Sequence, residues 1–63
     1  MKQIGVSVKY SGGSVQSFDG INDVFWGPCC VTLSIVDSNG NSKTIIDIAS
    51  SEVLEVRSIF EGE

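Results

Sequence analysis

Apolar and polar residues alternate along most of this chain. Ile4, Val6, Val8 and Tyr10 are separated by Gly5, Ser7 and Lys9, which is the two-residue period of a half-buried strand. Ser11-Gly12-Gly13-Ser14 follows, and its Gly-Gly pair suits the positive φ angles of a two-residue hairpin loop. Such a loop would set Tyr10 opposite Val15 on one face. A second strand is expected over about residues 14–18, ended by Asp19-Gly20, with Ile21-Asn22-Asp23 leading into Val24-Phe25-Trp26.

The second hairpin carries the clearest local signal. Cys29, Val31, Leu33 and Ile35 fall on one face, and Cys30, Thr32 and Ser34 on the other. Asp37-Ser38-Asn39-Gly40-Asn41 closes the turn, with Asn39-Gly40 expected in type I′ geometry. The returning strand, residues 42–49, then sets Thr44, Ile46 and Ile48 opposite Ile35, Leu33 and Val31. Ile45 breaks the pattern and falls on the other face, near Ser34 and Val36. Ala49-Ser50-Ser51-Glu52 reads as a tight connection of about one helical turn. Over residues 53–60, Leu54, Val56 and Phe60 fit one strand face, with Glu55 and Arg57 opposite. A short C-terminal helix is the alternative, because Val53, Val56, Ile59 and Phe60 recur at helical spacing; β-branching and the Glu55-Val56-Arg57 alternation favour the strand. The expected fold is a single all-β domain over residues 1–63. It is a small antiparallel meander of four to five strands, as a curled sheet or a partly open SH3-like barrel.

Composition narrows the function. At 63 residues the chain is one domain, and a domain this small buries only about 60% of its unfolded surface. Its 41% hydrophobic content suits a globular chain. Four Lys/Arg against eight Asp/Glu leave a net charge of -4, which argues against a partner held mainly by phosphate contacts. Lys2, Lys9, Lys43 and Arg57 are also scattered, and only Lys9 adjoins an aromatic, so nucleic-acid binding is not expected. MKQIGVSVKY contains no long apolar stretch of the signal-peptide kind, and no run approaches a membrane span. A cytoplasmic protein with reduced thiols is expected.

Residues 25–30, Phe25-Trp26-Gly27-Pro28-Cys29-Cys30, are the one place that invites a chemical reading. Adjacent Cα atoms lie about 3.8 Å apart, too close for an unstrained disulfide, and neighbours on a strand point to opposite faces. The chain has no histidine, which removes the usual zinc sets and the common base for a thiol nucleophile. The segment is therefore read as strand end, turn and strand start, with Cys29 buried beside Val31, Leu33 and Ile35 and Cys30 half-exposed. Asp37-Ser38-Asn39-Gly40-Asn41 lacks the remaining ligands of a calcium loop and is explained by a turn. Asp19 and Asp23 are read as turn-capping carboxylates. No catalytic set can be assembled, and no metal or cofactor is expected. Phe25 and Trp26 are the contact candidates: on a strand they face opposite sides, so one is expected in the core and the other exposed.

The succession IGVSVKY, SGGS, FDGINDV, VTLSIVDSNGNSKTIIDI and SEVLEVRSI resembles a loose class of very small all-β proteins encoded by bacteriophages and prophages. The resemblance covers nearly the whole chain. It implies a mobile-element origin, in a bacterial or phage-infected cell, and carries no catalytic residues. With Cys30, Val36, Ile45 and Phe18 expected on a second face that would otherwise meet water, the chain is expected to be a non-enzymatic interaction or assembly module. It would associate with itself or another protein through a sheet face or edge. The alternative is an acidic inhibitor of a host defence or DNA-binding protein, presenting Asp19, Asp23, Asp37, Asp47, Glu52 and Glu55.

Overall fold

The computed structural model describes residues 2–62. Alternation becomes strand along most of the chain: β1 Gln3–Tyr10, β2 Val15–Asp19, β3 Asp23–Trp26, β4 Cys30–Val36, β5 Ser42–Ala49 and β6 Val53–Phe60, with a 3-10 turn at Ser50–Glu52. The last segment is a strand, and the connection before it is the single helical turn expected. Among the described residues the strands number six rather than four to five, because Gly20-Ile21-Asn22 separates β2 from β3. They form two three-stranded antiparallel sheets, ordered β2-β1-β6 and β3-β4-β5. The three-residue link at Gly20-Ile21-Asn22 carries the chain from β2 into β3, and so from one sheet to the other, as in a partly open barrel. It does not close: among the described residues β5 and β6 are not paired, although only the 3-10 turn separates them.

The two middle strands supply the centre of the core. Val6 and Val8 of β1, and Val31 and Leu33 of β4, are fully buried, as is Ile21 in the link between β2 and β3. Each such side chain contributes roughly 1.5–3 kcal/mol by leaving water. Ile48 and Val53 complete the buried cluster, and Tyr10, Phe18, Val24, Ile35 and Val56 pack around it. Two local devices hold the sheets in place. At Gly5 a Cβ would lie 2.5 Å from the backbone oxygen of Phe18, so β1 and β2 approach as they do only because that side chain is missing. At Asn22 the side chain acts as an extra strand residue: its Nδ2 donates to the Val36 carbonyl at 2.8 Å, and its Oδ1 accepts from the Val36 N–H at 2.7 Å.

Both hairpin loops contain three residues, not two. Tyr10 N–H donates to the Ser14 carbonyl at 2.9 Å and Gly13 N–H to the Tyr10 carbonyl at 2.9 Å; the equivalent bonds join Asp37 with Asn41 and Gly40 with Asp37. The only positive φ values in these loops are at Gly13 (97°) and Gly40 (85°), as in a three-residue loop ended by a left-handed glycine. Type I′ geometry at Asn39-Gly40 is thereby excluded, since Asn39 keeps a negative φ. The Asp37 carboxylate explains the difference: its Oδ1 accepts from the backbone N–H of Asn39 at 2.9 Å and of Asn41 at 3.0 Å, which organises the longer loop.

The extra loop residue moves the register. In the first hairpin Val15 pairs with Lys9 rather than Tyr10, and Phe18 pairs with Val6. A one-residue shift exchanges the two faces of a strand, so Phe18 joins the core and Val15 is left 61% exposed. In the second hairpin Ile35 pairs with Lys43, not Thr44. A β-bulge then restores the expected register: Ser34 pairs with Thr44 and Leu33 with Ile46, which leaves Ile45 as the extra residue, and Val31 pairs with Ile48. A second bulge lies at Leu54, since Lys9 pairs with Glu55 and Tyr10 with Val53. It puts Val53 in the core and leaves Leu54 61% exposed, so Leu54 departs from the face expected for it beside Val56, whereas Val56 does pack against the core.

Candidate protein-interaction surface

Register assigns every paired residue of the β3-β4-β5 sheet to a face. The inner face carries Val24, Val31, Leu33, Ile35, Ile46 and Ile48. Phe25, Thr32 and Asp47 form one row across the outer face. Asp23, Ser34 and Thr44 form a second, Cys30 lies beside Ala49, and Val36 beside Ser42. Three of the five candidate contact residues, Phe25, Cys30 and Val36, thus belong to the outer side of this sheet, while Ile45 is the unpaired residue of the β5 bulge. Phe25 is 64% exposed and Ile45 is 45% exposed, while Cys30 and Val36 are half-buried.

Trp26 does not join them. It pairs with Val31 and so lies on the inner side, at the open end of the sheet, where it remains 51% exposed. Phe25 and Trp26 do face opposite sides, but neither enters the core. The Phe25 ring lies against Gly27 instead; ring atoms sit 3.3 and 3.8 Å from where a Cβ of that glycine would be. Ile21 is instead fully buried in the core, and its position in a loop hides it from any alternation pattern.

The cysteines confirm the strand–turn–strand reading but not the role given to Cys29. β3 ends at Trp26, β4 begins at Cys30, and Gly27 N–H donates to the Cys30 carbonyl at 2.9 Å across the turn. Cys29 therefore sits in the loop and is exposed, not buried beside Val31, Leu33 and Ile35. Cys30 is half-buried, as expected. Among the described residues no three cysteine or carboxylate side chains gather as metal ligands, and Asp47 accepts a 2.6 Å hydrogen bond from the Thr32 hydroxyl. An open depression of about 480 Å³ beside the first hairpin is lined by Tyr10, Ser11, Gly12, Ser14 and Glu52; the Tyr10 hydroxyl there donates to the Gln16 amide oxygen at 2.9 Å.

The outer face of the other sheet differs in chemistry. It carries Ser7 and Lys9 on β1, Val15, Ser17 and Asp19 on β2, and Glu55, Arg57 and Ile59 on β6. Arg57 Nε lies 2.8 Å from Glu55 Oε1. The exposure of Val15 and Leu54 does not follow from alternation, although Val53-Leu54, like Ile45-Ile46, is an adjacent apolar pair that cannot fit one face of a regular strand. No helix of the described residues is long and apolar enough to cross a membrane. No protein-family model, curated protein or solved structure matches this chain.

Proposed function

We propose that this chain is a non-enzymatic protein-interaction module that assembles through the outer face of its β3-β4-β5 sheet, onto further copies of itself or onto another protein. The observation that carries the reading is one sheet face holding exposed Phe25 with Cys30 and Val36, beside the exposed Ile45 at the β5 bulge. Aromatic side chains exposed on a rigid sheet are favoured anchors of protein contacts. The accessible surface, 4283 Å², is roughly a tenth above the ~3,900 Å² usual for a monomer of this mass, as suits a chain with surface still to bury. A cytoplasmic setting and a mobile-element origin belong to the same proposal, the latter resting on the resemblance drawn from sequence.

Acidity supports a second reading. Asp23 and Asp47 share that face, and among the described residues neither Lys nor Arg stands on it. A basic surface on a host defence or DNA-binding protein is the partner that an acidic inhibitor would take.

Ile45→Lys tests the first reading, because Ile45 is half-exposed and unpaired in the ladder, so the fold should tolerate the change. The expected result is a lower weight-average mass in sedimentation with an unchanged far-UV circular dichroism spectrum. An unchanged mass would remove this face from the assembly.

A further inference from the structure

Among the described residues β6 is an edge strand whose outer side is unpaired at Val56 and Ser58, and its sequence there is complementary to itself. The direction of its backbone groups follows from the first hairpin. Tyr10 bonds to Ser14 and the Ile4 carbonyl accepts from Gly20 N–H, so the even-numbered residues of β1 turn their backbone groups toward β2. Gly5, Ser7 and Lys9 turn theirs toward β6, where they face Ile59, Arg57 and Glu55. Val56 and Ser58, lying between those three, direct their N–H and C=O groups away from β1, along the free edge.

We propose that two copies of this chain pair antiparallel through β6, about a two-fold axis at Val56. In that register Val56 exchanges both backbone hydrogen bonds with Val56 of the second copy. Ser58 meets Leu54 of the second copy, where the bulge ends the ladder. Glu55 stands opposite Arg57 of the second copy, and Arg57 opposite Glu55, in the closely spaced non-hydrogen-bonded pairs where opposite charges attract best. Both side chains are accessible, Arg57 at 78% and Glu55 at 49%. The ion pair within one strand would then become a four-membered network across two. Centring the axis on Glu55 or Arg57 would instead stack like charges. The result is one continuous sheet in the order β2-β1-β6-β6-β1-β2, a self-complementary contact of the commonest oligomer symmetry.

The other edges offer less. β3 has four residues, and β2 would set Val15 against Asp19 of its copy. In β5 the bulge at Ile45 interrupts the edge and places Lys43 and Asp47 on opposite faces. This inference deepens the assembly reading by adding a second contact, separate from the β3-β4-β5 face, so the two can fail independently.

Charge reversal with rescue tests it. Arg57→Glu replaces two attractive pairs with two repulsive ones and is expected to weaken the edge dimer about tenfold or more; the double variant Glu55→Arg/Arg57→Glu should restore it. Sedimentation on the Ile45→Lys background isolates the edge contact from the face. Amide hydrogen exchange supplies the readout specific to this geometry: Val56 and Ser58 N–H should be protected in the parent and the double variant, and unprotected in Arg57→Glu. Free exchange of both amides at concentrations where the chain is associated would overturn the proposal, as would failure of the double variant to restore the dimer.

Discussion

The two sheets are built alike and finished differently. Each has a middle strand that fills the core, Val6 and Val8 in one and Val31 and Leu33 in the other. Each has an eight-residue outer strand, β6 or β5, carrying one bulge at an apolar residue. In β6 the bulge at Leu54 comes at the start and leaves the stretch from Glu55 to Ile59 in regular register. In β5 the bulge at Ile45 falls in the middle, so the edge is broken and an apolar side chain is displayed. Bulges are a common means of blunting sheet edges, and their position decides which kind of contact a sheet can make. A terminal bulge leaves a regular edge; a central one interrupts it.

That contrast can be attacked at several levels. The largest effect is expected where the sheets agree, in their middle strands. Leu33→Ala should destabilise by about 2–5 kcal/mol, the cost of a cavity at a fully buried leucine. In a domain this small that is enough to unfold a large fraction of molecules. Leu54→Ala, at an exposed bulge, should stay within about 0.5 kcal/mol. Denaturant titration of both variants measures the difference, and equal losses would mean that the bulge on β6 is misplaced.

A smaller effect is expected at Gly5, where only a backbone oxygen opposes a new methyl group. Gly5→Ala must push β1 from β2 and should cost about 1–3 kcal/mol, the range for overpacking. An unchanged melting temperature would show that the strands are not so closely apposed. The smallest effect belongs to the thiols. Cys29→Ala removes an exposed side chain from a turn and should change stability by no more than about 0.5 kcal/mol; a loss comparable to that of Leu33→Ala would return Cys29 to the core.

Most of the architecture is legible in the sequence because its signals are local. Alternation locates the strands, and the turn residues locate both hairpins. Across the second hairpin the expected pairing holds where Val31 meets Ile48 and Leu33 meets Ile46. The reason is a cancellation: the longer loop at Asp37–Asn41 shifts the register by one, and the bulge at Ile45 shifts it back. The first hairpin has the same loop and no bulge on β2, so the shift persists and exchanges Phe18 with Val15. Loop length turns on the Asp37 carboxylate in one case and on a single left-handed glycine in the other, neither of which alternation records. Of the candidate contact residues, Phe25, Cys30 and Val36 share a face because they obey strand parity, while Ile45 falls at the bulge, where parity is interrupted. Trp26 and Cys29 depart from expectation because both lie at the mouth of the turn, where parity no longer predicts burial.

Assembly through either contact would make the mass of the unmutated protein in solution depend on concentration. Sedimentation equilibrium from about 10 µM to about 1 mM spans the range in which weak protein contacts form. The expected result is a weight-average mass that rises with concentration above the 6.7 kDa of one chain. A value fixed at one chain throughout would contradict it.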